Sequence, residues 1–222
     1  MVGLMDGGKI RSLSGGVNQS GVRDHNERLL LSMLQRQGAM PGIDIARRTG
    51  LSAPTVSTIL RKLEKDGFLK RGEPVRGKVG KPSIPMNLNA DGVLSFGVKI
   101  GRRGVDLLLS DFNGNVRLQE HMTYDYPLPE AVFGFLEESL ANTLEDMDAD
   151  TINRLCGIGI ATPFELWKWN DLVGAPAKKF QSWRDVDFDR EIRRFSDLPV
   201  FVVNDATAAC RAEHLYGRGK EF

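Results

Sequence analysis

The sequence predicts a two-module chain: three short helices closed by a β-hairpin, then an α/β half-domain in which a three-strand meander leads into alternating helices and strands. Two observations predict it. Apolar residues recur at helical spacing as far as Leu63 and at strand spacing from Leu94 onward. The charge divides in the same place. Residues 1–90 hold 15 Lys and Arg against 7 Asp and Glu, and residues 91–222 hold 15 against 22, so a module of +8 joins one of −7 in a chain of net +1. A basic first module suits a polyanion and an acidic second one does not, although an ordinary solvated surface also tolerates such a bias.

With 222 residues and 41% apolar content the chain can bury a real core, which excludes a disordered or fibrous protein. No run approaches the ~20 apolar residues of a membrane span, and the first twenty residues lack the apolar centre of a secretory signal. A cytoplasmic protein without membrane contact is expected. Cys156 and Cys210 lie in RLCGIGIA and ATAACRAE with no second Cys or His at metal spacing. Buried, reduced thiols and no metal site are expected of them.

Residues 1–22, rich in Gly and Ser without a sustained period, read as a flexible arm, and residues 23–90 as the first folded module. From Asp24, Leu29, Leu30, Met33 and Leu34 trace an amphipathic helix that Gly38 stops. Pro41 opens a second, two-turn helix whose Ile43, Ile45 and Ala46 can face a core before Gly50 ends it. Ser52 is a good N-cap for a third helix in which Val56, Ile59, Leu60 and Leu63 form one stripe and which Gly67 ends. Its polar face presents Ser52, Ala53, Thr55, Ser57, Thr58, Arg61 and Lys62. The start of that face is small and hydrogen-bonding, as an approach to base edges requires, and its later part is cationic. A short helix, a Gly turn and a longer recognition helix make a helix-turn-helix.

FLKRG then reads as a strand, EPVRGKVGKPS as a loop and IPMNLN as a returning strand, which together make a wing. Arg71, Arg76, Lys78 and Lys81 place four cations on it against Glu73 alone, as suits a loop tracking phosphates. Double-stranded DNA is the expected partner.

In residues 91–222, LSFGVKI, GVDLLLSD and NVRLQEHMTY predict an antiparallel meander. Ala131 to Met147 predicts a long helix, LCGIGIA a strand buried on both faces, and PVFVVND a second buried strand running into the helix ATAACRAEHLYG. That order is the ribonuclease H-like half-domain, the α/β unit of actin and hexokinase-type ATPases. Asn204 and Asp205 stand at the carboxyl end of the last strand, where open α/β sheets bind ligands; helix capping alone also favours Asn and Asp there.

The succession of a winged helix-turn-helix, GKPSIPMNLN, FGVKIGRRGVDLLLSDFNGNV, GIGIATP and VFVVNDATAACRAEHLYG resembles the ROK family, named for repressors, open reading frames and kinases, and within it the sugar-responsive repressors. The resemblance runs from about Val22 to the end. It implies a sequence-specific regulator that responds to a carbohydrate and binds its operator as a homodimer or higher homo-oligomer. In the family's kinases an Asp-x-Gly-Gly-Thr type loop holds ATP phosphates. Here Lys99, Ile100, Gly101, Arg102 and Arg103 stand instead, so no catalytic residue and no kinase activity are expected, and Asp205 would be a vestigial base.

The resemblance also assigns Asn204, Asp205 and, more loosely, Glu213 to a sugar site. Pro163-Phe164 and Pro176-Ala177 depart from the family's Pro-Gly and Pro-Asn, and Trp167, Trp169 and Trp183 could stack on a sugar or pack a core. The family's regulators continue for about another domain half. Its cysteine-rich zinc motif would lie beyond Phe222, so no cofactor is expected in this chain, whether fragment or naturally short. Two other readings stay open: a ROK-type sugar kinase, and a DNA-binding remnant indifferent to ligand.

Overall fold

Three left-handed glycines, Gly38 at φ +78°, Gly50 at φ +71° and Gly67 at φ +83°, follow the ends of the three helices of the first apolar run. The computed structural model describes residues 19–75, 83–168, 180–217 and 219. The first helix, α1, spans Gln19–Gln37, so the last four residues of the expected arm are helical. Met40–Pro41 forms a short strand, β1, followed by α2, Gly42–Thr49. Pro41 is the N-cap of α2 rather than its first residue, and Ile43, expected in the core, is 59% exposed. Ile43 and the buried Ile45 are two positions apart, which is about 200° around a helix, so both cannot face inward.

The third helix, α3, Ala53–Lys65, starts at Ser52, whose Oγ accepts from the Thr55 amide at 3.3 Å. Its Val56, Ile59, Leu60 and Leu63 pack with Leu30, Leu34, Ile45 and Leu69 in one core. Each such side chain contributes roughly 1.5–3 kcal/mol by leaving water, enough to hold helices too short to stand alone. The hairpin follows as β2, Leu69–Arg71, and β3, Pro85–Leu88, antiparallel with Leu69 opposite Leu88 and Arg71 opposite Met86. β1 adds to the other edge of β3, a pairing that the sequence does not announce.

The second module is a five-stranded mixed sheet. Its meander is β4, Leu94–Ile100, β5, Gly104–Asp111, and β6, Val116–Thr123. Helix α4, Pro129–Glu145, and the one-turn α5, Ala149–Ile152, lead to β7, Leu155–Thr162. A short α6, Phe188–Ile192, precedes β8, Val200–Asn204, and α7, Asp205–Tyr216. The order is β6-β5-β4-β7-β8, with β7 parallel to both β4 and β8. Alternate residues Leu94, Phe96, Val98 and Ile100, with Val105, Leu107, Ile158 and Ile160, form a core with Val132, Leu136 and Leu140 of α4.

The opposite face is open, which corrects three expectations. β7 is buried on one face only: Ile158 and Ile160 are fully buried, whereas Gly159 is exposed. β8 is an edge strand, with Phe201 63% and Val202 48% exposed. Both cysteines are exposed rather than buried. The register slips between Leu155 and Ile158, and this bulge turns Cys156 out to the open face, while Cys210 rides on α7, none of whose residues is buried.

Candidate nucleic-acid interface and ligand groove

α3 carries its buried stripe on one side, so Pro54, Thr58, Arg61 and Lys65 run along the opposite side, with Ser57 beside them. All five are exposed. The Thr58 hydroxyl returns to the Pro54 carbonyl at 3.0 Å and Arg61 Nε to the Ser57 carbonyl at 3.2 Å. Arg61 can extend from there without breaking an ion pair. Lys65, absent from the sequence-predicted set, shares this outward line at the i+4 position from Arg61. Ser52 and Thr55 join hydroxyls at 2.8 Å at the helix start, beside the exposed Ala53.

Two predicted cations have other partners. Lys62 Nζ lies 2.8 and 2.6 Å from the two carboxylate oxygens of Glu27, pinning α3 to α1. Arg71 Nε and Nη2 donate to Glu64 at 2.7 and 3.1 Å, a two-pronged clamp of the wing's first strand onto α3. That hydrogen-bonded guanidinium holds the Glu64 carboxyl below its usual range. Beneath the clamp, Ile43, Val56, Leu60, Ile84 and Met86 line a hollow of about 320 Å³ between helix and wing. Arg76, Lys78 and Lys81 lie outside the described residues.

In the second module the carboxyl ends of β4, β7 and β8 converge. Asn204 caps α7, its Oδ1 accepting from the Thr207 amide at 3.3 Å. Asp205 Oδ1 accepts from the Ala206 amide at 2.8 Å and from Asn204 Nδ2 at 3.2 Å. The pair therefore is a helix cap, yet its two members face different hollows. Asp205 lines an open, largely apolar groove of about 710 Å³ with Lys99, Gly159, Ala161 and Val203. Asn204 lines one of about 290 Å³ with Thr162, Phe164, Trp183 and Val202. Glu213 is not brought to them: eight residues along α7, it stands about 12 Å away beside Gly217.

The β4–β5 turn is stitched to itself. The Gly101 amide donates to the Gly104 carbonyl at 2.9 Å, the Tyr124 amide to the Arg103 carbonyl at 3.0 Å, and Arg103 Nη1 reaches the Asp125 carbonyl. The Tyr124 hydroxyl lies within 2.9 and 2.8 Å of the Gly101 and Gly104 carbonyls, and burial pushes its pKa far up, keeping it a donor. Tyr124 helps to hold the turn closed, a contact that only the pairing of β5 with β6 reveals. Trp183 is buried, with Nε1 donating to the Pro127 carbonyl at 3.0 Å, and packs against Phe133 and Phe188, so it serves the core. The Trp167 side chain, Trp169 and Pro176-Ala177 lie outside the described residues. Among the described residues no group of three His, Cys, Asp or Glu could hold a metal ion, and no helix is long and apolar enough to cross a membrane.

Comparison with known proteins agrees with both modules. Residues 23–70 match a winged helix-turn-helix DNA-binding domain and residues 95–222 match the ROK family. The xylose repressor of Bacillus subtilis (strain 168) is 25% identical over 203 residues, covering 91% of this chain and 52% of that protein. The N-acetylglucosamine repressor of Escherichia coli O157:H7 is 25% identical over 204 residues, covering 90% and 48%. A crystal structure of a ROK family transcriptional regulator, a homolog of the E. coli Mlc protein, superposes with a TM-score of 0.60 at 20% identity, covering 88% of this chain and 49% of that one, a likeness of fold. The chain spans about half the length of the curated relatives it matches. With more than half of its residues matched by the family, and the winged helix in front, this chain belongs to the ROK family.

Proposed function

We propose that this chain acts as a DNA-binding, sugar-responsive transcriptional repressor that works in the cytoplasm and binds a two-fold operator as a dimer. The observation that carries the reading is the outward face of α3. Its Thr58, Arg61 and Lys65 are exposed in a line on a helix whose other flanks are tied down by ion pairs. Such a face fits a major groove, with Ser57 and Thr58 toward base edges and Arg61 and Lys65 toward base acceptors or phosphates. Ser52, Ala53 and Thr55 supply the close approach at the helix start. The cations Arg76, Lys78 and Lys81 complete the interface from the wing. Lys62 and Arg71 act by orienting α1 and the wing.

The effector is a carbohydrate held in the groove beside Asp205, where a carboxylate can accept two sugar hydroxyls. It acts by preferring one arrangement of the module and so shifting the population competent to bind the operator. Phosphoryl transfer is disfavoured, because it needs backbone donors free to cradle phosphates and an acid to organise Mg²⁺. The turn at Lys99–Arg103 spends its Gly101 amide internally and offers no acid. The groove between the sheet and α7 is open and largely apolar, a poor enclosure for a polar ligand, which favours a ligand-indifferent DNA binder as the second reading.

Selection from random duplexes tests the first claim. We expect a palindrome to be enriched, and Arg61→Ala to abolish the enrichment and lower the slope of log affinity against log salt by about one. Binding without sequence preference in the wild type would remove the regulator reading. A change in operator affinity on adding sugars separates the sensor from the ligand-indifferent binder.

A further inference from the structure

The C-terminus of the recognition helix is gripped by the second module. Gly67 closes α3 in the left-handed region, its amide donating to the Glu64 carbonyl at 3.1 Å and the Phe68 amide to the Leu63 carbonyl at 2.9 Å. Four groups from beyond the β2–β3 hairpin meet this cap. Arg154 Nη1 donates to the Asp66 carbonyl at 3.0 Å, and its guanidinium lies over Gly67 so closely that a Cβ there would come within 2.9 Å of it. Asn89 Nδ2 donates to the Gly67 carbonyl at 2.9 Å. A Cβ on Gly92 would stand 2.5 Å from the same oxygen. The Phe68 ring meets Phe112 edge to face, with centroids 6.3 Å apart. The last carbonyls of a helix lack internal partners and carry the negative end of its dipole, so a guanidinium is their chemical match.

Arg154 immediately precedes β7, and its carbonyl accepts from the Leu94 amide at the start of β4 at 2.9 Å. These two strands line the groove with their other ends. The eight residues of β7 span about 25 Å, a stiff rod with the recognition helix at one end and Thr162, paired with Asn204, at the other.

We propose that Arg154 is a positioning residue for DNA recognition, through which the second module sets the orientation of α3, so that movement of β7 at the groove re-aims the helix. The inference rests on the first module being the DNA reader. Its test uses the full chain, the operator selected as above and an unrelated duplex of equal length. Arg154→Ala is expected to weaken operator binding roughly tenfold while leaving binding to the unrelated duplex and the salt slope unchanged. Arg154→Lys, which keeps a donor for the Asp66 carbonyl, restores part of the loss. Hydrogen exchange at the Gly67 and Phe68 amides, measured without DNA, quickens in Arg154→Ala. Unchanged operator affinity overturns the proposal. So does a parallel loss on both duplexes with a slope smaller by about one, which would make Arg154 a phosphate contact. A wild type that selects no operator defeats the DNA reading itself, and unchanged exchange then defeats the anchoring role separately.

Discussion

Asp111 closes β5 with a side chain that is 1% exposed, and the turn into β6 is folded around it. Its carboxylate accepts from the Asn113 amide at 2.9 Å, the Asn115 amide at 3.0 Å and Arg117 Nε at 2.8 Å. Burial pushes its pKa up, but the hydrogen bonds from Asn115, Arg117 and Asn113 outweigh burial and hold it below the usual carboxylate range. A carboxyl depressed in the folded state stabilises above its unfolded pKa of about 3.9, and that contribution is lost as pH falls through the folded value. Asp111→Asn should therefore cost about 2 kcal/mol at pH 7, read from urea midpoints, and the gap to wild type should narrow below about pH 4. A gap independent of pH would show that shape rather than charge holds the turn.

At the scale of elements, α3 depends on its cap. The helix has 13 residues, and its first-turn amides need acceptors that the helix cannot supply. Ser52→Ala removes the Oγ that accepts from Thr55 and should cost about 1 kcal/mol in denaturant unfolding, whereas Ser52→Asp should keep most of it. Losses of the same size in both variants would mean that Ser52 acts through its hydroxyl bond to Thr55 instead. The clamp of Glu64 on Arg71 belongs to this scale as well. Arg71 reads in sequence as one wing cation among four, and pairing of β2 with β3 turns it onto the helix. Sequence spacing cannot foresee that, because a hairpin's twist selects which residues meet a neighbouring helix.

For the whole molecule, the joint between the two cores closes around Gly67 and Gly92. Gly92→Ala would push a methyl into the Gly67 carbonyl, and this overpacking should destabilise by about 1–3 kcal/mol and loosen α3. Gly38→Ala, at a left-handed residue in open space, makes a control that adds only backbone strain of about 1 kcal/mol. A Gly92→Ala midpoint equal to that of the wild type would mean that the joint yields freely.

The helices of the first module, the meander, and the strand that ends in Asn204-Asp205 were legible in the residues. Apolar periodicity, Gly stops and a Ser cap are local signals, and each element carries its own. Which cations stay free was not legible: Lys62 and Arg71 look like Arg61 until α1 and β2 bring Glu27 and Glu64 into the same space. Nor was burial: LCGIGIA and VFVVN are apolar throughout, yet one has an open face and the other an open edge. Periodicity reports which residues could be covered, and only packing between distant segments determines which ones are. Arg154 shows the same limit, because its role arises from a glycine 87 positions earlier in the chain, a proximity that exists only after folding.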